Sequence, residues 1–307
     1  MADVPGAPWP DRAEVRFIDR PGGVRLRTAF FPAGDGARGT VVLSPGRTEP
    51  FEKYAEVVGE LHARGFAVLA HDWRGQGGST RLGADALSGH ATGWRPFVQD
   101  YRTVLDAWEL LAPKPWIAVG HSMCGGLTAL ILSEGEPRIA GAVLSAPMLG
   151  VTTGQRSPTE VGWVAFAMGL VGRGRGLPLP QSDPLKDAFE NQALTHDRAR
   201  WARTQALITA HPELRLGGVT WGWLAFALAL CRRMATGDAA ARIMVPFAVV
   251  AAGDDRLCVS SAARAVADRA PKGRYVEVED AWHEVLMETD DKRAVFWRVF
   301  DETVAGL

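Results

Sequence analysis

The chain has 307 residues, 47% of them hydrophobic and 22% charged, with a formal net charge of −1. That length suits one core carrying a large insertion, and near-neutrality leaves no electrostatic footprint for nucleic acid. Cys124, Cys231 and Cys258 form no even framework and no C-x-x-C pair, which argues against a disulfide scaffold or a zinc site and for a reducing, cytoplasmic setting.

The first residues, Met1 to Pro8, lack the charged start and apolar run of a secretory signal. Ala13–Asp19 and Val24–Phe31 alternate like paired strands about Pro21-Gly-Gly23. Gly39–Ser44 is a short β-rich run ending at Pro45-Gly46, followed by helical spacing over Phe51–Arg64. A strand is expected over Phe66–Asp72, a helix over Pro96–Leu111, a buried strand over Trp116–Gly120, an apolar helix from Met123, and a strand over Ile139–Ser145. Short apolar strands alternating with helices predict a parallel sheet covered on both faces. The alternation breaks at Pro147. It resumes with the strand Val245–Ala252, a helix near Ser260–Ala270, the strand Arg274–Val278 and a final helix from about Leu286. The expected division is therefore a core over 10–147 and 241–305, interrupted by a helical cap over 148–240. Within that cap the most apolar stretch, Val219–Cys231, is too short to span a bilayer and contains Gly222.

Ser122 lies in Gly120-His-Ser-Met-Cys-Gly-Gly126, directly between a buried strand and a helix. That is the setting of a nucleophile elbow, in which a sharp strand-to-helix turn lifts the hydroxyl above the sheet. The helix N-terminus and the Met123 N–H would then face an oxyanion. The alternative is an ordinary serine in a Gly-rich turn. The motif departs from G-x-S-x-G at Cys124, which stands where the second glycine is expected. A neutral serine needs a base, and the base needs an orienting acid. In such sites the chain order is Ser, acid, His. Of seven histidines, only His283 follows the last strand and has candidate acids at a late strand's end, Asp254 and Asp255. Asp280 is too close to His283 to come from a separate strand. The second oxyanion donor is expected in Pro45-Gly-Arg-Thr-Glu49, at the Arg47 N–H, against a plain turn with Thr48 as helix cap. The Arg47 side chain has two readings, a salt bridge to Glu49 or a contact with a phosphate.

With these residues placed, the chain resembles the α/β-hydrolase branch that holds bacterial lysophospholipases and monoacylglycerol lipases. Gly120-His-Ser-Met-(Cys)-Gly125 matches its elbow at all but one position, and Asp72-Trp-Arg-Gly-Gln-Gly-Gly-Ser79 resembles a structural segment near the site mouth. Asp255-Arg-Leu-Cys258 resembles the acid's context in the monoacylglycerol lipases and so favours Asp255; Trp282-His283 matches an aromatic–histidine pair at the base. Pro45-Gly-Arg-Thr-Glu49 with Glu52-Lys-Tyr54 looks like the proteobacterial lysophospholipase version, as do Asn191–Thr195, Pro212–Gly218 and Thr220–Trp223 in the cap. The resemblance implies the α/β-hydrolase fold, a mostly parallel central sheet with helices on both faces and an inserted helical cap.

The expected activity is hydrolysis of a single-chain lipid ester by Ser122, His283 and Asp255, with no metal and no cofactor. His121, Trp221 and Trp223 are candidate substrate contacts. The cap's aromatics suit an acyl chain, though any cap needs them for packing. Its slight excess of Lys and Arg suits peripheral contact with an anionic membrane face. The alternatives are a general short-chain carboxylesterase, separated by a chain-length series, and a non-catalytic binding protein, for which Cys124 is the only support.

Overall fold

A strand buried on both faces has no polar side to present, so its sequence reads as an unbroken apolar run. The computed structural model describes residues 1–10, 12–34 and 36–307. Its strands are β1 (Glu14–Arg20), β2 (Val24–Phe31), β3 (Gly39–Ser44), β4 (Phe66–His71), β5 (Trp116–His121), β6 (Ile139–Ser145), β7 (Phe247–Ala252) and β8 (Gly273–Val278). They form one sheet in the order β1-β2-β4-β3-β5-β6-β7-β8. The runs of β3, β4, β5 and β7 are buried at every residue. The pairings β1–β2 and β2–β4 are antiparallel, and the rest are parallel. All the parallel strands thus end at one edge, which gathers loops far apart in sequence.

The helices are α1 (Ala55–Ala63), α2 (Arg95–Trp108), α3 (Met123–Ser133), α4 (Pro158–Leu170), α5 (Arg198–Ala210), α6 (Trp221–Ala235), α7 (Ser260–Arg269) and α8 (Asp290–Ala305). One face of the sheet packs on side chains of α2, α3 and α7, among them Val104, Leu127 and Val266. The other packs on α1 and α8 through Val57, Leu61, Phe296 and Phe300. The expected boundaries that move furthest are the starts of α1 and α8. A 3₁₀ turn (Phe51–Tyr54) precedes α1, and α8 begins at Asp290 rather than near Leu286. The later start has a cause. The fully buried Glu288 carboxylate accepts from the N–H groups of Trp282, His196 and Thr289, which keeps the short 3₁₀ turn Val285–Met287 from running on into α8.

Between β6 and β7 the described residues form helices, 3₁₀ turns and two isolated bridge residues, Val151 and Val219. This stretch is not uniform. Phe226, Leu230 and Met234 of α6 join the core cluster that contains α3, and Phe226 stacks on Phe97 with centroids 5.0 Å apart. Helix α5 is tied to the body by Arg200, which pairs with Glu56 at 2.6 Å and Asp290 at 2.7 Å. Helix α4 is apolar, yet Ala165 is its only buried residue. No helix among the described residues is long and apolar enough to cross a membrane.

Candidate active site

The register of the sheet sets the site. Ser44 pairs with Gly120, His121 with Ser145, and Ala252 with Val278, so the chain leaves β3, β5, β6, β7 and β8 at one edge. Directly after β5, Ser122 turns with φ 53° and ψ −120°, a conformation costly for a residue bearing a Cβ. Its N–H donates to the Ser145 carbonyl at 3.0 Å, while its own carbonyl accepts from Met148 at 2.8 Å and Gly126 at 3.1 Å. Those three bonds hold the strained turn with Ser122 partly exposed above α3.

His283, 4% exposed, reaches this serine from the loop after β8. Its Nε2 lies 2.8 Å from Ser122 Oγ and its Nδ1 lies 2.8 Å from Asp255 Oδ2. A carboxylate only accepts, so Nδ1 carries the proton and Nε2 is left to accept from the hydroxyl. The other oxygen of Asp255 accepts from the N–H groups of Leu257 and Cys258, both at 2.9 Å. Burial would raise the Asp255 carboxyl, but its hydrogen bond and electrostatic attraction to His283 and those two donors hold it below the usual range. Asp254 faces elsewhere, pairing with Arg256 at 3.2 Å and accepting from Trp282 Nε1 at 3.1 Å. Of the two adjacent acids, geometry therefore singles out Asp255. Ligand atoms of Asp255, His283 and Cys258 also lie within 4.8 Å of one another, as a metal site would need. Both oxygens of Asp255 and both ring nitrogens of His283 are already engaged, so an ion there would break the relay.

The loop after β3 carries Arg47 beside this group. Arg47 and Met123 line one small cavity, and neither N–H has a hydrogen-bond partner among the described residues. Gly46 is required by close approach: a Cβ there would lie 2.7 Å from Glu49 Oε2 and 2.8 Å from the His121 ring. Gln76, in the Asp72–Ser79 segment, grips the Gly46 carbonyl at 2.6 Å. Asp72 anchors that segment through Arg27 Nε at 2.6 Å and the Gly78 N–H at 2.8 Å. Thr48 does not cap a helix; it has φ 69°, and Pro50 precedes the 3₁₀ turn.

A buried charged chain escaped the reading of the sequence. Glu49 accepts from the Gly46 N–H, from Tyr54 Oη at 2.6 Å and from Lys53 Nζ at 2.7 Å; Lys53 also pairs with Glu284. Burial alone would raise the Glu49 carboxyl, but the Lys53 ammonium, with His121 and Tyr54, outweighs it and holds Glu49 at about 2. At Glu284 burial is the larger effect and carries the carboxyl above its usual range. Lys53 thereby joins the Arg47 loop to the residue after His283. The readable signal was a Glu and a Lys four residues apart on an otherwise buried turn.

This arrangement corrects three expectations. Arg47 makes no salt bridge to Glu49, whose oxygens are taken by Lys53, Tyr54 and Gly46. His121 does not offer its ring to a substrate: it is 3% exposed, its Nδ1 donates to the Ser145 carbonyl at 3.1 Å, and burial lowers its pKa to about 4. It packs against the His283 ring at 4.8 Å. Of the two tryptophans, Trp223 lines the cavity with Met123, whereas Trp221 sits against the Gly174–Gly176 loop. Cys124 is fully buried in the first turn of α3, with its thiol directed at the Pro45 carbonyl. Burial pushes that thiol well above its ordinary pKa. It has no positive φ, so nothing in its backbone demands glycine. A larger groove, about 670 Å3, lies between α1, α5 and α8, but most of its charges pair with one another and it holds no nucleophile.

A family model described as "Serine aminopeptidase, S33" matches residues 35–290. The Escherichia coli K12 protein called lysophospholipase L2 is 31% identical, over 94% of this chain and 86% of its own length. A monoacylglycerol lipase of Mycolicibacterium smegmatis is 29% identical, over 88% and 90%. Among solved structures, a soluble variant of monoglyceride lipase from Saccharomyces cerevisiae, in complex with a substrate analogue, aligns with a TM-score of 0.74. That alignment covers 97% of this chain and 98% of the other at 17% identity, a likeness of fold.

Proposed function

The chain belongs to the serine aminopeptidase S33 family of α/β-hydrolases, and from that premise we propose that it cleaves the ester of a single-chain lipid, a lysophospholipid or a monoacylglycerol, through an acyl-enzyme. The observation that carries this reading is the pair of 2.8 Å contacts joining Ser122, His283 and Asp255. His283 Nε2 takes the hydroxyl proton as Ser122 Oγ attacks the ester carbonyl. The N–H groups of Arg47 and Met123 donate to the oxyanion. Collapse breaks the bond to the glycerol oxygen, which receives the proton from His283. Water, activated in turn by His283, then releases the fatty acid and restores the serine.

The lipid part of the reading draws on the relatives and on the segment over 148–240, taken here as the cap. The cavity between Met123 and Trp223 measures about 10 Å3, room for little more than a water. An acyl chain enters only if the cap shifts. Helix α4 is the mobile element in this reading, since Trp163 is 64% exposed and Leu170 73%. With Arg173 and Arg175 exposed just beyond it, α4 suits the surface of an anionic bilayer. The test is a series of nitrophenyl esters together with a lysophospholipid and a monoacylglycerol. Rates should rise with chain length, and at least one lipid should be turned over. Activity confined to acetyl and butyryl esters would replace the proposal with a short-chain carboxylesterase.

A further inference from the structure

In the cavity lined by Met123, the residue after Ser122, lies a cation without a counter-ion. The Arg47 guanidinium donates to the Gly217 carbonyl and rests over the Trp223 ring, 5.2 Å from its centroid. Both partners are neutral. Its Nε is shut off from solvent and makes no hydrogen bond. Among the described residues no carboxylate pairs with it, and Glu49, the nearest acid in sequence, is committed to Lys53 and Tyr54. The backbone at Gly89 lies directly against it: a Cβ there would stand 2.9 Å from Nη2 and 3.2 Å from Nε. Burial lowers its pKa to about 10, so at neutral pH the charge persists. A desolvated charge without an opposite partner is unfavourable unless something supplies one. The cavity it lines is also lined by Met123, the residue after the nucleophile.

We infer that the Arg47 side chain is a subsite for the phosphate of a lysophospholipid head group. This rests on the lipid-ester reading above and narrows it. In a lysophospholipid the phosphate is joined to the glycerol that leaves, so it sits on the leaving-group side of the scissile ester, where a monoacylglycerol has only a hydroxyl. A guanidinium offers paired N–H donors matched to two phosphate oxygens, and Nε is a buried donor still unused. Closing on a phosphate would also hold Trp223 and the Gly217 loop of the cap over the site.

The experiment compares a lysophosphatidylethanolamine with a monoacylglycerol of the same acyl chain, both below their critical micelle concentrations, in the wild type, Arg47→Lys and Arg47→Met. The readout is the ratio of the two kcat/KM values. Any damage to the loop that Arg47 shares with the oxyanion site affects both substrates and cancels in that ratio. The ratio should fall tenfold or more in Arg47→Met, chiefly through KM for the phospholipid, with Arg47→Lys between the two. Melting curves establish that each variant is folded, and if Arg47→Met is not, Arg47→Lys carries the comparison. An unchanged ratio overturns the inference while leaving the lipid reading intact. So does an unchanged ratio accompanied by an effect of inorganic phosphate on monoacylglycerol turnover, because the anion is then free rather than lipid-borne. A wild type that turns over neither lipid overturns the lipid reading itself.

Discussion

At the carboxyl edge of the sheet, the side chains of Glu49, Lys53, Glu284, Asp255 and His283 are all buried and all paired. In the segment between β6 and β7, α4 turns Trp163, Phe166 and Leu170 toward solvent with nothing over them. The first region places charge where water cannot screen it, so small displacements there are energetically large. The second exposes apolar surface that packing would normally bury. Between them, α5 and α6 are bound to the body, by Arg200 and by Phe226 respectively. The contrast teaches that the candidate site's charged groups are oriented by the core, while uncovered apolar surface gathers on α4.

The sharpest way to break the account of the fixed region is to exchange its acids. Asp255→Asn should lower kcat by about 10⁴, because the amide favours the wrong imidazole tautomer and cannot balance the imidazolium. Asp254→Asn, which only loosens Trp282 and Arg256, should stay within a few-fold. Steady-state kinetics on one acyl ester decides, and the reverse order would move the acid to Asp254.

Lys53→Met tests whether the buried chain acts on the reaction or only on the fold. It leaves Glu49 and Glu284 without their shared cation, which should cost about 3–5 kcal/mol of stability. It should also displace the Arg47 loop, reducing kcat by roughly 10- to 100-fold with a smaller change in KM. A folded variant with full kcat would show that the chain is structural alone. On the exposed face, replacing Trp163 and Leu170 of α4 by serine should slow hydrolysis of lipid presented in anionic vesicles several-fold. Rates on soluble esters should hold. Equal losses on both would mean that α4 serves packing and not the membrane.

The smallest expected effect concerns Cys124. Its helical backbone needs no glycine, and its side chain fills space beneath the Arg47 loop. Cys124→Gly should therefore cost about 1 kcal/mol through helix propensity, and somewhat more through the void, with little change in kcat. A rise in melting temperature would show instead that the thiol crowds the elbow.

How much of this was legible depended on whether the signal was local. Strands β2 and β3 were readable to the residue, β2 from its alternation after the Pro21-Gly-Gly23 turn and β3 from the short apolar run that burial on both faces produces. Ser122 was readable for a similar reason: strand, turn and helix adjoin one another. Asp254 and Asp255 could not be separated by residue type, since neighbours differ only in where the folded loop points them. Lys53 and Glu284 are 231 positions apart, so no local pattern announces their pairing. Helix α4 was opaque in the opposite sense. Its composition is that of a buried helix, and only its place in the fold shows that it packs on α6 and leaves its outer face uncovered.

The central claim is that Ser122 forms the covalent intermediate. A fluorophosphonate incubated with the wild type, followed by digestion and mass mapping, tests it without assuming a substrate. One adduct is expected, on the peptide bearing Ser122, absent from Ser122→Ala and strongly slowed in Asp255→Asn. No adduct, or an adduct retained in Ser122→Ala on another residue, would contradict it.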